Sequence, residues 1–470
     1  MVVEVLPPLQ WAQRHFGQAE LGDVRRTQRA VAYAASAATA PSWSIPKQCG
    51  GDWKQVKGAY RLFDMPQVSF HKLQEPHRRQ TLERAGRCAV MLWVSDTTTL
   101  SFDHPATAGV GPTSAGGSGR GMLLHTTMAV DVSGGIDQSP FVLGLGHQQL
   151  WVRGARPDKK KPESTKWPLG AEAIGTPPAG VRWVHVSDAE SDCWEAIEAC
   201  REQSSGFAIR ACQNRQVIAG HAQAEESVPP GESTLLFDLL RQEPALGNKK
   251  LWVRGRADRQ ARWAQLAVSA TAVTLLAPKN WSDKEHRKAR PRPDPIACWA
   301  VRVYEINAPA GEDPIEWVIL TDEPVTDARA ALKVVFWYSC RWLIEEYHKC
   351  LKTGCRIESR QLEEAGRLQS LLGILGVVAI RLLQLKHQAK VNPDAPATSI
   401  VPENYVKTLA AYLNEPVLKM TTRHFWRETA RLGGFLGRKG DGDPGWLTLW
   451  QGWQHLEILT AGVDLAQRLR

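Results

Sequence analysis

Two runs of apolar residues, each closed by Val-Ser-Asp, constrain the fold of this chain more than any other feature. The first is CAVMLWVSD, which ends at Asp96, and the second is VRWVHVSD, which ends at Asp188. Short apolar runs that end on a polar group are typical of buried strands, so each acid is expected at the end of its strand. CWEAIEACREQ follows as a helix with Ser191 or Asp192 as its expected cap, and FAIRACQ returns as a strand. The pattern predicts an α/β fold with a mixed sheet.

The sequence on either side of these strands has other patterns. Residues from 9 to about 75, and those after about 355, show helical spacing of apolar residues. LWVRGRADRQARW, VTLLAPKNW, ACWAVRVYEI and IEWVILTD look like antiparallel strands around a basic segment, Lys284–Arg292. We therefore predict three domains, which are a helical N-terminal domain at 1–75, a mixed-sheet domain at 76–365 with a β insertion at about 213–322, and a helical C-terminal domain at 366–470.

The charge of the chain favours a polyanionic partner. Its 470 residues carry a formal net charge of +9, and the pI is near 9.1. The two short N-terminal helices are rich in basic residues, which suits a small DNA-binding module. The alternative is a basic protein with no nucleic-acid role. The candidates for DNA contacts in this module are Arg25, Arg26, Arg29 and Arg61.

Cysteine usage and hydropathy favour a cytoplasmic protein. Nine cysteines without a C-x-x-C spacing indicate free thiols in a reducing compartment. Met1–Pro8 has no basic region before an apolar run, so no secretory signal is expected. Leu368–Leu385 is the most membrane-like segment, but it contains Arg381 and two glutamines. We expect it to be a buried helix, in a protein with no membrane partner.

The segment Tyr338–Gly354 predicts a single amphipathic helix with a chemically distinctive face. At a helical 100° per residue, its polar residues fall within an arc of about 60°, and six apolar residues between Phe336 and Leu351 cluster on the opposite side. The polar residues are Tyr338, Arg341, Glu345 and Lys352. A carboxylate can hold a divalent metal and neighbouring cations can hold phosphate. A solvated polar stripe is the alternative interpretation of the helix taken alone.

Three carboxylates have settings that suit metal-dependent phosphoryl transfer: Asp96, Asp188 and Glu345. Two divalent ions about 3.5–4 Å apart can activate water and stabilise a leaving oxygen, and hard carboxylate oxygens are the ligands that Mg²⁺ and Mn²⁺ prefer. Each acid alone is more typical of a turn or a helix cap. Their order, with the third acid on the polar face of the helix, favours a shared site.

These motifs resemble the DDE transposases of the insertion-sequence-four family, within it those of the transposon five type. The family signature Y-x2-R-x3-E-x6-K is matched at Tyr338, Arg341, Glu345 and Lys352. SDTTTLSF and SDAESD resemble the motifs of the first and second aspartates. GAYRLF, ELGDVRRTQR and ARLGGF also look like that family, so the resemblance covers nearly the whole chain.

The resemblance implies a cut-and-paste DNA transposase with a ribonuclease-H-like catalytic core. Such an enzyme nicks the transposon end, forms and opens a DNA hairpin, and joins the 3′ ends to target DNA. Asp96, Asp188 and Glu345 would be the ligands of two Mg²⁺ or Mn²⁺ ions. Tyr338, Arg341 and Lys352 would hold phosphates around a flipped base, and Trp317 would stack on that base, although it also suits strand packing. Arg210, which follows a strand, is a further candidate for a DNA contact.

The resemblance also implies how the protein assembles and where it departs from its family. It would bind double-stranded DNA, both transposon ends and target, and form a homodimer through its C-terminal helices in the bacterial nucleoid. The family has Arg and Ala where this chain has Ala189 and Ser191. This departure leaves open a catalytically impaired relative that binds transposon ends and represses transposition. A general ribonuclease-H-like nuclease is a further alternative.

Overall fold

The computed structural model describes residues 6–102, 107–114, 117, 119–154, 162–221, 233–253, 261–277 and 293–469. The predicted basic segment Lys284–Arg292 lies outside these ranges.

The N-terminal region is helical, as its apolar spacing predicts. Its helices are α1 (Pro8–Phe16), α2 (Val24–Thr39), α3 (Ile45–Gln48), α4 (Trp53–Phe63) and α5 (Phe70–Ala85). Local capping explains where three of them begin: the side chains of Asp23, Asp52 and Ser69 accept hydrogen bonds from backbone N–H groups in the first turns of α2, α4 and α5. Helix α5 continues past residue 75 and leads directly into the sheet.

The first half of the sheet alternates with helices. Its elements are β1 (Val90–Ser101), β2 (Gly111–Pro112), β3 (Arg120–Asp131), β4 (Phe141–Trp151), α6 (Lys166–Ile174), β5 (Arg182–Ser187), α7 (Trp194–Glu202) and β6 (Gly206–Arg210). Strand β1 pairs antiparallel with β3 and parallel with β5, and β5 pairs parallel with β6. Strand β4 lies antiparallel on the far edge of β3. This mixed sheet is the predicted ribonuclease-H-like core.

The insertion extends this sheet and does not form a separate one. Its elements are β7 (Gln216–Ala219), β8 (Ser233–Leu235), α8 (Leu236–Gln242), β9 (Gly247–Val253), β10 (Arg262–Leu275), β11 (Ile296–Ile306) and β12 (Glu316–Thr321). Strand β12 pairs antiparallel with β6, so the described residues form one sheet of twelve strands, most of them antiparallel. The sequence VTLLAPKNW is not a strand of its own, because its first residues complete β10.

The predicted helix at Tyr338–Gly354 is in fact three pieces, which corrects that prediction. Helix α9 (Ala328–Ser339) ends before a tight turn, α10 (Trp342–Lys349) follows it, and a π-helical turn occupies Cys350–Gly354. In the turn, backbone N–H groups reach back three residues, from Arg341 to Tyr338 and from Leu343 to Cys340. These shorter bonds tighten the chain between the two helices.

The remaining helices make up the C-terminal region. They are α11 (Ala365–Val391), α12 (Glu403–Leu413), α13 (Thr422–Leu432) and α14 (Trp446–Arg468). The first of them packs against α5 and α13. Helix α11 is long and apolar enough to cross a membrane, yet 89% of its most apolar window is buried inside the protein. Its polar groups also have partners there, since Arg381 donates to the carbonyl of Leu6 at 2.9 Å and Gln384 to that of Val142 at 3.0 Å. It is therefore packed as the central helix of the core.

Candidate active site

Strand register places Asp96 and Asp188 at one edge of the sheet. The parallel strands β1 and β5 pair up to Val94 and Val186, and each aspartate lies two residues beyond its paired valine. Asp188 follows the end of β5, as predicted, whereas Asp96 lies inside β1. The strand continues to Ser101 because β3 still pairs with it there. The two carboxyl groups thus sit side by side where parallel pairing ends.

Arg341 brings the third acid to this edge. Its Nη1 lies 3.3 Å from Oδ2 of Asp96, and its Nη2 donates to Oε1 of Glu345 at 2.7 Å. Glu345 stands in the first turn of α10, so the guanidinium ties that helix to β1. All three side chains are less than a third exposed. Arg341 therefore lies between two of the three carboxylates predicted to act together.

The electrostatics of the edge disfavour negative charge. Burial raises the pKa of Asp96 to about 6, and the nearby charge of Asp188 adds to the increase; the Thr97 amide and Arg341 oppose it. Burial also raises the pKa of Asp188, and the carboxylate of Glu190 adds to that rise against the hydrogen bond from the Glu190 amide. Raised pKa values of close carboxyl groups are typical of functional sites, because a bound cation would relieve their repulsion.

The donor chemistry of this edge fits a hard divalent cation. Asp96, Asp188 and Glu345 provide only carboxylate oxygens, which suit Mg²⁺ or Mn²⁺. In the ranges that the structure describes, no three His, Cys, Asp or Glu side chains lie close enough together to hold a metal ion. The guanidinium of Arg341 takes the cationic position between Asp96 and Glu345.

A cluster of aromatic and basic side chains lies beside the carboxylates of Asp96 and Glu345. The rings of Trp317 and Tyr338 have their centroids 6.2 Å apart and are tilted by 55°. Burial raises the pKa of Tyr338, while hydrogen bonds with Arg210 and Arg341 oppose the increase. The antiparallel pairing of β12 with β6 sets Trp317 near Arg210, because Ile319 is opposite Arg210. The structure therefore brings together Trp317, Tyr338, Arg210 and Arg341.

Lys352 stands apart from the Arg341 contacts. Its Nζ lies 3.6 Å from Oε1 of Glu358, and that oxygen also accepts a hydrogen bond from the backbone of Ser101 at 2.9 Å. The π-helical turn of Cys350–Gly354 carries this lysine. Lys352 thus adjoins the far end of β1 and contributes a partly exposed positive charge there.

The N-terminal candidates are on α2 and α4, in a different part of the protein. Arg25 pairs with Asp23 at 2.9 Å and is largely exposed, and Arg26 donates to the carbonyl of Leu21 at 3.0 Å. Arg29 covers Gly58, where an added Cβ would come within 3.1 Å of its Nε. Arg61 is exposed on α4. These side chains form a basic surface on the first helices and have no part in the carboxylate group.

Asp192 has a role that the sequence did not reveal. It does not cap α7, whose first turn follows Cys193 and has no side-chain cap. Instead its side chain is fully buried, pairs with Arg215, and accepts hydrogen bonds from the backbone of Cys212 at 2.8 Å and Gln213 at 3.0 Å. Asp192 thus fixes the chain after β6, the strand that carries Arg210.

Lys166 is a second residue that sequence reasoning missed. Its buried side chain reaches Oε2 of Glu190 at 2.9 Å, and its charge opposes the rise in the pKa of Asp188. Glu190, which follows Ala189 in the chain, is therefore already paired with Lys166 of α6. The only signal in the sequence was a lysine next to a tryptophan at the start of a helix.

Two family models match the ends of the chain. Residues 8–68 match the model described as "Transposase DNA-binding", and residues 377–469 match the "Transposase Tn5 dimerisation domain". The first range covers α1 to α4, and the second begins inside α11 and ends with α14. The two ranges flank the sheet whose edge carries the acids. Together they support a Tn5-like transposase that binds DNA and forms homodimers.

Proposed function

We propose that this protein is a cut-and-paste DNA transposase of the insertion-sequence-four family. It binds the ends of a transposon, cleaves them through a hairpin intermediate and joins the 3′ ends to target DNA. The observation that carries the proposal is the placement of Asp96 and Asp188 at one edge of a ribonuclease-H-like sheet, where Arg341 ties Asp96 to Glu345. The matched DNA-binding and dimerisation regions on either side support it.

Asp96, Asp188 and Glu345 would hold the Mg²⁺ or Mn²⁺ ions. When bound, two such ions would supply an activated water or 3′-hydroxyl and charge stabilisation at the leaving oxygen. Arg341 now balances Asp96 and Glu345. A cation at these carboxylates would release the guanidinium, whose planar donors match the oxygens of a phosphate.

The neighbouring aromatic and basic residues would hold the strained strand. Trp317 presents an aromatic ring beside Tyr338, and a flipped base can stack on such a ring in place of its lost neighbours. Arg210 and Lys352 would contact phosphates on either side. The exposed arginines of α2 and α4 would bind the end DNA of the transposon, in a homodimer that acts in the bacterial cytoplasm at the nucleoid.

A pair of glutamates on α10 offers a matched test. Cleavage is measured with Mg²⁺ and a duplex made from the terminal repeats that flank the gene, and DNA binding is measured without metal. We expect Glu345→Ala to lose strand cleavage and keep DNA binding. Glu346→Ala is the control, because Glu346 points away from the site to Lys386 at 3.6 Å. Full cleavage by the Glu345→Ala protein would rule out this active site.

A second function is favoured by a departure at the same site. Ala189 and Ser191 replace the residues that the family has beside the second aspartate. We therefore retain a catalytically impaired relative that occupies transposon ends and represses transposition. The intact chain would then bind the end duplex specifically and yet leave it uncut with either Mg²⁺ or Mn²⁺. Cleavage by the intact chain excludes this alternative.

A further inference from the structure

A pair of exposed tryptophans lies near the tip of the hairpin that β9 and β10 form. Trp252 and Trp263 are directly opposite each other in the antiparallel register, with ring centroids 5.3 Å apart and a tilt of 58°. Trp252 is 47% exposed and Trp263 is 67% exposed. A cross-strand pair gains its stability from the faces that touch. The contact between the two rings does not explain why so much of their surface is exposed to solvent.

The hairpin points to the same edge of the sheet as the acids. The carboxyl end of β6 carries Arg210, and antiparallel pairing places Trp317 of β12 at that end. Trp317 is opposite Val303, and Val303 is opposite Val268 of β10. Trp263 lies five residues closer to the tip, about 17 Å along β10 and two strands across, so we place it roughly 20 Å from Trp317.

The charge around the pair is positive. Lys249 and Lys250 precede Trp252 on β9, and Lys250 shares its exposed face. Exposed aromatic rings beside cations are the combination that binds unpaired nucleic acid, since bases stack on the rings and the cations meet the phosphates.

A buried ion pair fixes the strand end that carries Trp263. Arg262, next to Trp263, donates to both carboxylate oxygens of Glu305 on β11 at 3.0 Å. Glu305 is almost fully buried, and Arg262 also pairs with Glu312. The backbone that carries Trp263 is thereby held in place before any ligand arrives. Such preorganisation lowers the entropic cost of binding.

We propose that Trp252 and Trp263, with Lys250, form a stacking platform for unpaired DNA bases. The inference rests on the proposed function for the source of that DNA, which is the strand distorted at the site about 20 Å away. Double-stranded DNA lacks free base faces, and a second copy of this chain has no reason to prefer the basic surroundings. Both are nevertheless outcomes of the test below.

The test compares two labelled probes, an oligo(dT) of 20 nucleotides and a duplex of the same length and arbitrary sequence, with the full chain in EDTA. We expect Trp252→Ala/Trp263→Ala to weaken oligo(dT) binding about tenfold and duplex binding about twofold or less. Trp252→Phe/Trp263→Phe keeps aromatic faces and should stay within about threefold of the intact chain on oligo(dT). Tyr412→Ala removes an exposed ring from α12 and serves as the control.

Each other result overturns the proposal. An unchanged oligo(dT) affinity, or an equal loss on both probes, excludes a platform for unpaired bases. A change in sedimentation without DNA would assign the pair to contact with a second chain. If the alanine variant fails to fold, a second experiment takes the place of the binding comparison. The intact chain is cross-linked by ultraviolet light to an oligonucleotide that contains 5-iodouracil. Cross-links at Trp252 or Trp263 support the platform, and cross-links confined to other residues exclude it.

Neither probe contains a transposon end and no metal is present, so this test is independent of the cleavage test on Glu345. A failure of cleavage with intact oligo(dT) binding would remove the proposed function and leave the platform. The reverse result would remove only the platform.

Discussion

Asp188 and Asp192 belong to one motif, yet their surroundings are opposite. Asp188 lies at the sheet edge beside Asp96, and its Oδ1 accepts one backbone hydrogen bond from Glu190 at 3.0 Å. Asp192 is fully buried, with its oxygens taken by Arg215 and two backbone N–H groups. An acid whose acceptor sites are filled by the protein holds structure. One that keeps sites open at an edge is available for a ligand.

Glu457 extends the comparison to a buried acid that is held by hydrogen bonds, with the charge of Lys47 acting on it more weakly. It lies on α14 and is 1% exposed. Its Oε2 accepts from Ser42 at 3.1 Å and its Oε1 from Trp453 at 2.8 Å. Burial raises the pKa of this carboxyl group to about 8, although both hydrogen bonds and the charge of Lys47 oppose the increase. The group therefore joins the N-terminal and C-terminal helices in its neutral form at pH 7.

The largest expected effect is a loss of cleavage activity on substitution of Asp188, which substitution of Asp192 should not produce directly. Asp188→Asn removes a proposed metal ligand, and we expect single-turnover cleavage of end DNA to fall on the order of a thousandfold. The free energy of unfolding should not fall, because the fold already disfavours the charge on Asp188. Asp137→Asn, at an exposed pair with Arg329, is the control. Normal cleavage by Asp188→Asn would place this acid with the structural group.

Asp192→Ala should have the opposite result. It leaves the buried guanidinium of Arg215 without its partner, so we expect the free energy of unfolding to fall by about 3–5 kcal/mol. Denaturant titration measures the loss. Arg215→Met combined with Asp192→Ala removes both charges and should recover part of it, which a double-mutant cycle quantifies. A stable Asp192→Ala protein with lost cleavage would mean that this acid serves the chemistry.

Sequence patterns were sufficient for the parts of the site that depend on short-range order. An apolar run predicts a buried strand, and two such parallel strands bring the acids that follow them to one edge. Asp96 and Asp188 meet for that reason. The helical spacing of Tyr338, Arg341 and Glu345 likewise placed their side chains on one side, although the helix is broken between α9 and α10.

The features that were missed depend on contacts between distant segments. The apolar residues before and after the break at Cys340–Arg341 still follow nearly the same helical spacing. Periodicity alone therefore does not reveal that the helix is broken. The role of Asp192 depends on Arg215, which is 23 residues further along the chain. That β12 joins β6, and so extends the core sheet, depends on which strand edges pair, and alternating residues carry no such information.

A smaller effect is expected from the buried carboxyl group of Glu457. The folded pKa of Glu457 is raised from 4.5 to about 8, so its contribution to stability is complete below about pH 4.5 and is lost as the pH rises toward 8. Glu457→Gln stays neutral and should make the stability curve flatter over that range. At pH 8 we expect the variant to be more stable by about 1–3 kcal/mol. Parallel curves for the two proteins, measured by thermal unfolding, would show that Glu457 is charged in the fold.

The smallest effect on stability is expected at Lys352, which lies at the site edge and whose one ion pair among the described residues is with partly exposed Glu358. Lys352→Ala should change the free energy of unfolding by less than about 1 kcal/mol, because such surface pairs contribute little. If Lys352 contacts a phosphate, the slope of log affinity for end DNA against log salt should become shallower by about 0.9. Lys407→Ala, in an exposed pair with Glu403 at 2.9 Å, should leave both quantities nearly unchanged. A marked loss of stability with an unaltered salt slope would move Lys352 to the same class as Asp192, a charge whose partners are all within the protein.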